Sequence, residues 1–464
     1  MNDARVGDES IPSSALDRGA LVGALWCWYL LRVTSPLDFD RLWHRAQPLL
    51  AAVPSSASAI AHGLRVSHHD VARLLRLHRE EVVVAGRARA TRYALRRSIP
   101  GLGLRLPVFE VDALGQVRQC AVLHPSGERG FYVEPSCDDV EPGFHLDLPW
   151  FLDGLRPAGF LGRLVPRQHP ELGLPDDIRL WSGDHTVRYA SSVGYHAVGN
   201  VILGEPAREA YQRAALAAHV LDASPPGSSA AGEQPKFLAR REDGVEVLVK
   251  FSPPRTEPVG RRLADLIVSE HVALEVLRGA GHDAALSSIV EAGDRLFLEV
   301  VRFDRTRVGR RGVVSLEAAD AEFVGDLERG AWDRSVEGLA KLGKVQPEVV
   351  DEVRWLQTFG ACIANSDMHP GNLSFFITGT RLLGLTPAYD MLPMHYAPLQ
   401  GHLRSVQFRP PTPQNLAAWR QAAEAAARCW AILAEHPLVS VEFRSIARDN
   451  RSVVERMGAS TVVG

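Results

Sequence analysis

Between Pro54 and Leu77 apolar residues recur at helical spacing with one break. Pro54, Ser55 and Ser56 start a helix through Ala61, and Gly63 suits its stop. Ser67 is the N-cap of a second helix, in which Val71, Leu74 and Leu75 share one face. The pattern then changes to strand, turn at Gly86, strand in "EVVVAGRARATRYALRR". Two short helices and a hairpin form the pattern of a winged helix-turn-helix over about 54–97. Residues 1–14 read as a polar tail, and helical signals fill the stretch between it and residue 54.

Beyond residue 97, "SIPGLG" (98–103) reads as a linker. Short apolar runs then alternate with Gly/Pro turns ("LPVFEV", "QCAVLHP", "GFYVEP"), followed by broken helical pieces with Trp150, Phe151 and Phe160 as core residues. These predict a small α+β domain over 104–222. "SPPGSSAAGEQPK" (224–236) is a flexible segment. "FLARREDGVEVLVKF" predicts a hairpin turning at Asp243-Gly244. An amphipathic helix ended by Gly279 and Gly281 and the strand "RLFLEVVRFDR" complete a β-rich part over 223–303. The remainder, 304–464, is largely helical, interrupted by turns and a short strand between Asn365 and Asp390 and closed by a short helix. The class expected is α+β.

With 464 residues and 46% hydrophobic content, the chain is long enough for two or three domains. A net charge of −3 excludes a general polyanion binder. From Arg65 to Arg97, however, nine arginines face three acids, a local balance of +6. On a winged helix that charge can neutralise phosphates. Ser67, His68, His69, Arg73, Arg76, Arg87 and Arg89 are the candidates for contact with double-stranded DNA. The competing reading is a solvated arginine face on a dimerising module. Five scattered cysteines suggest neither a disulfide framework nor a metal site. The polar start and the short apolar run Leu21–Val33 predict a soluble cytoplasmic protein without a membrane partner.

The segment "NSDMHPGNLS" (365–374) and, further on, "AYDM" (388–391) carry the candidate chemistry. Asp367 can orient an attacking hydroxyl, while Asn372 and Asp390 supply the oxygens magnesium favours. His369 can donate to a phosphate oxygen. Lys250 ends an apolar strand, where reach toward nucleotide phosphates explains a lysine better than strand alternation does. Glu270 is its expected ion-pair partner, with Glu275 the alternative. Backbone from Ala231 through Gly232, Glu233, Gln234 and Pro235 to Lys236 can cover phosphates, with Lys236 adding charge, although the Walker spacing is absent. Ser228 and Ser229 offer hydroxyls in the same loop, and phosphorylating one would add nearly two negative charges there.

"SSAAGEQPKF", "VLVKF", "VVRFDR", "NSDMHPGN" and "AYDM", in that order, resemble the motifs of HipA-family serine/threonine kinases, the toxin kinases of bacterial toxin–antitoxin systems. Together with the N-terminal winged helix, the chain looks most like the family's YjjJ-like branch. The resemblance covers about residues 104–450. It implies a HipA-like bilobal kinase fold with a β-rich N-lobe and a helical C-lobe, and a need for ATP and Mg2+. It implies Asp367 as the catalytic base, Asn372 and Asp390 as metal ligands, and Lys250 on the ATP phosphates. Ala231 to Lys236 would form the phosphate loop and Val301, Arg302 and Phe303 the adenine hinge. His369 and Tyr389 would line the nucleotide, and Ser229 would be autophosphorylated. A protein substrate and a separate antitoxin are the implied partners. Two other readings stay open: a nucleotide-sensing DNA-binding regulator without transfer activity, and a metal-dependent nuclease using Asp367, His369 and Asn372.

Overall fold

The computed structural model describes residues 38–216, 234–326, 331–409 and 416–460. Three helices come first: Phe39–Ala52, Ala57–Leu64 and His68–Leu77. Their apolar stripes close a small separate core of Leu42, Trp43, Leu50, Ile60, Leu64, Val71 and Leu74. Ser67 caps the third helix as its residue type requires, in a reciprocal capping box with Asp70. Gly63 is not the stop of the second helix. It lies inside the helix, where an added Cβ would stand 3.0 Å from the Leu49 side chain, so it admits the neighbouring helix. The left-handed cap is Arg65 (φ 57). β1 (Val82–Ala85) and β2 (Arg92–Leu95) pair antiparallel across the turn at Gly86, whose φ of +79 favours glycine.

Residues 98–103 are more than a linker, because Ile99 is buried in the main core. Five strands follow: β3 (Leu106–Val111), β4 (Val117–Ser126), β5 (Gly130–Pro135), β6 (Gly143–His145) and β7 (Val201–Leu203), in spatial order β6-β5-β4-β3-β7. Arg97 fastens the N-terminal helices and hairpin to this sheet through a bidentate pair with Asp184, both bonds at 2.7 Å, and Arg96 bonds His124. Two of the nine arginines therefore face inward.

A four-stranded sheet comes next, in the order β10-β11-β9-β8, from β8 (Lys236–Arg240), β9 (Glu246–Phe251), β10 (Ser287–Ala292) and β11 (Arg295–Val301). Helix Pro258–Gly279 lies between β9 and β10 in the chain. It is buried around most of its circumference rather than amphipathic, with both Asp265 and Glu270 inside. β12 (Gly312–Ser315), β13 (Ser374–Thr378) and β14 (Arg381–Leu385) form a small antiparallel sheet. Helices Glu348–Cys362, Leu416–Glu435 and Val441–Ser460 pack together, and the last of these is 20 residues long rather than short. One apolar cluster runs from Ile99 to Val454 through both larger sheets and these helices. Among the described residues no helix is long and apolar enough to cross a membrane.

Candidate functional site

β8 and β9 pair so that Lys236 stands directly opposite Lys250. Opposite residues of an antiparallel pair project from the same face, and like charges there repel unless anions intervene. Lys250 is 4% exposed, so its ammonium must find partners inside the protein. Glu270, from the middle of helix Pro258–Gly279, accepts from Nζ through both oxygens at 2.7 and 2.8 Å. Asp390 accepts from the same Nζ. Of the two glutamates the sequence offers, Glu270 is the partner; Glu275 pairs with Arg278.

Burial alone would push the Lys250 ammonium down, but Asp390 and Glu270 outweigh it and hold it above its usual range. Burial raises the Asp390 carboxyl, yet the charges of Lys250 and Lys236 prevail and keep it below the ordinary value. Glu270 moves the other way: burial dominates, Lys250 opposes it, and Asp390 adds to the rise. One buried ammonium thus faces two carboxylates, a centre that welcomes a further cation, while Lys236 beside it favours an anion.

The turn carrying Asp390 is held from several directions. Asp390 has φ 53, an unusual conformation for a residue with a side chain, and Ala364 at the end of helix Glu348–Cys362 has φ 60. Such strain persists where surrounding contacts over-determine it, and it clusters at functional sites. Asn365 supplies the key contact. Its Oδ1 accepts from the Asp367 amide at 3.1 Å, and its Nδ2 donates to the Asp390 carbonyl at 3.3 Å. Tyr389 adds a second tie, its hydroxyl meeting Ser374 Oγ at 2.7 Å and donating to the Gly371 carbonyl at 2.9 Å. The loop 365–374 and the turn 388–391 are therefore one unit. Within the loop, Asn372 Nδ2 donates to the Asp367 carbonyl at 2.9 Å, which leaves Asn372 Oδ1 as the oxygen for another ligand. His369 accepts the Gly371 amide on Nδ1. Its carbonyl takes the Trp332 indole N–H.

Magnesium would meet oxygens here from Asp390 and Asn372, a hard-ligand pair that leaves room for water and phosphate oxygens. The cross-strand lysines fit phosphates by the same argument. Phe303 lies against Tyr389, ring centroids 5.6 Å apart, and edge-on to Phe376. The amides of Val301 and Arg302 already bond the carbonyls of Leu286 and Glu246, and the Arg302 guanidinium holds Asp304. A base meeting this stretch would therefore find neither of those amides available. Gln234 and Pro235 precede β8, while Ala231, Gly232, Glu233 and Ser229 lie outside the described residues. Ser67, His68, His69, Arg73, Arg76, Arg87 and Arg89 are all exposed on the N-terminal helices and hairpin. Arg73 is stacked 4.6 Å over Phe39.

Sequence reasoning passed over Asn365. Its position two before Asp367 is the only signal it gives, since an amide is needed to donate to one segment while accepting from the other.

Residues 102–212 match the middle domain of YjjJ-like toxins, and residues 228–457 match the HipA-like C-terminal domain. Toxin YjjJ of Escherichia coli (strain K12) is 36% identical over 427 residues, spanning 86% of this chain and 95% of that protein. Two solved structures are similar at lower levels. One is a chain of the Shewanella oneidensis MR-1 complex of HipA, HipB and operator DNA, with TM-score 0.47, 17% identity, and coverage of 75% of this chain and 96% of that one. The other is the Helicobacter pylori proinflammatory kinase CtkA, with TM-score 0.37, 13% identity, and coverage of 52% and 96%. The E. coli relationship runs through nearly the whole of both proteins, and on that ground the chain belongs to the YjjJ toxin family, with a HipA-like C-terminal domain.

Proposed function

We propose that this protein is an ATP- and Mg2+-dependent serine/threonine protein kinase that also binds double-stranded DNA. The observation that carries the reading is the buried Lys250, gripped by Glu270 and by the same Asp390 turn that Asn365 and Tyr389 tie to the Asp367–Asn372 loop. In this reading Lys250 and Lys236 bind the phosphates of ATP. Asp390 and Asn372 Oδ1 hold magnesium, which when bound neutralises charge on the phosphates. Asp367 orients the acceptor hydroxyl and accepts its proton, while the serine or threonine oxygen bonds to the γ-phosphorus and ADP leaves. Phe303 and Tyr389 line the base, with Val301 and Arg302 as backbone, and His369 faces the phosphates. Ala231 to Lys236 serve as the phosphate loop, and Ser229 is the protein's own acceptor.

The division that follows is an N-terminal region over 1–97, an α+β subdomain over 104–222, a kinase N-lobe over 223–303 and a helical C-lobe over 304–464. The exposed Ser67, His68, His69, Arg73 and Arg76 on and before the third helix, with Arg87 and Arg89 on the hairpin turn, support a winged helix reading of the N-terminal region. Membership of a toxin family supports an antitoxin as a further partner, and ATP and DNA together put the site of action in the cytoplasm. Mass spectrometry after incubation with ATP and Mg2+ tests the enzymatic part. A phosphoryl group on Ser229 is expected. A protein that binds ATP yet yields no phosphoserine or phosphothreonine, on itself or on added cell extract, contradicts the reading.

A further inference from the structure

Each of the two candidate carboxylates is followed directly by a methionine: Met368 after Asp367, and Met391 after Asp390. Both methionines reach the same spot. A Cβ built on Gly360 would stand 2.5 Å from the Met368 sulfur and 3.6 Å from the Met391 methyl. Gly360 is buried near the end of helix Glu348–Cys362, and its φ lies outside the left-handed region. Alanine could therefore adopt its backbone and would favour the helix by about 1 kcal/mol. What glycine provides here is space. The Gly360 carbonyl also accepts the Asn365 amide at 2.9 Å, so the notch adjoins the residue that clamps both carboxylate segments.

From this arrangement we infer that Gly360 is a positioning residue: its notch sets the spacing between Asp367 and Asp390 by seating the side chain that follows each of them. The catalytic consequence rests on the kinase reading above. Ordinary contact needs about 3.5–4.0 Å between heavy atoms, so an alanine methyl would displace the Met368 sulfur by about 1 Å. Methionine is adaptable. Its sulfur, however, is not the tip of the side chain, and Met391, 1% exposed, fills the adjoining space. The displacement is therefore passed back along Met368 toward Asp367. Met391 is at ordinary contact distance and transmits less.

The test compares wild type, Gly360→Ala, Met368→Ala and the double variant as purified full chains. Gly360→Ala should lower kcat by about 10²-fold, the scale of a misplacement near 1 Å. The Kd for ATP should stay within about twofold and Tm should not fall, since alanine is the better helix former. Adding Met368→Ala should recover at least about tenfold of the lost kcat, because it vacates the contested space. A Gly360→Ala enzyme with wild-type kcat, or a loss that Met368→Ala does not recover, overturns the proposal. Should Gly360→Ala fail to fold, Met368→Ala alone decides: a several-fold drop in kcat at unchanged ATP affinity upholds it, and wild-type kcat overturns it. Wild type that binds ATP without transferring phosphate defeats the kinase reading instead. The notch is then judged by amide exchange over 365–372 and 388–391, which Gly360→Ala must speed and the double variant slow again; no change overturns it.

Discussion

Arg87 and Arg89 stand in water on the turn of the N-terminal hairpin, whereas Lys250 is 4% exposed and bonds two carboxylates. The two regions use positive charge in opposite ways. An exposed guanidinium contributes little to folding and acts through its sum with neighbours, in a manner that salt screens. A buried ammonium costs desolvation, repaid only while its partners stay in place. Substitutions in the first region should therefore alter ligand binding with the fold intact. In the second, stability and ligand binding should fall together.

Lys250→Met should show the largest effect. It leaves Glu270 and Asp390 buried without their cation, at a cost of about 3–5 kcal/mol, and it removes ATP binding; urea denaturation and calorimetry read the two losses separately. Unchanged stability would mean that the centre is not a coupled buried cluster. Asp304→Asn tests a second buried cluster. Burial raises the Asp304 carboxyl, but Arg302 and Arg305 prevail and hold it at about 2. A depressed carboxylate contributes stability above its unfolded value near 3.9, and that contribution is lost as pH falls through the folded value. The stability gap between wild type and Asp304→Asn should thus be constant above about pH 5 and shrink by about 2 kcal/mol toward pH 2, read by denaturation at several pH values.

Asn365→Ala should cost about 1–3 kcal/mol through the groups it leaves unpaired, and it should lower phosphoryl transfer more than ATP affinity. A parallel fall in both would make Asn365 a part of the nucleotide site rather than a clamp. Arg87→Ala and Arg89→Ala should leave stability within about 0.5 kcal/mol. Each should weaken DNA binding and reduce the slope of log affinity against log salt by about one. A loss of folding stability at either position would erase the contrast between the two regions.

The same contrast explains what the sequence made legible. Lys250 was readable because a lysine in "VLVKF" violates strand patterning, and Glu270 because it lies on the next helix. The order Asp367, Asn372, Asp390 was readable because the chemistry fixes the residue types. The left-out features depend on packing between distant segments. Gly63 and Gly360 look like helix breakers in one dimension, and only a neighbouring side chain, Leu49 or Met368, shows that each makes room. Arg96 and Arg97 look like members of the basic face, and only the docking of the hairpin onto the five-stranded sheet turns them toward His124 and Asp184. Ile99 sits in a Gly/Pro-rich stretch, yet it belongs to the core. Helix Pro258–Gly279 carries charges that look solvent-facing, but two of them are interior acids with partners on other elements, Lys250 for Glu270 and Ser440 for Asp265.

The most direct test of the account incubates wild type and Asp367→Asn side by side with γ-labelled ATP and Mg2+ after verifying that both bind ATP. Label on wild type and its loss in the variant, by the 10²- to 10⁴-fold or so that a positioned base contributes, is the predicted result. Equal labelling of both, or an unlabelled wild type with ATP bound, would contradict it.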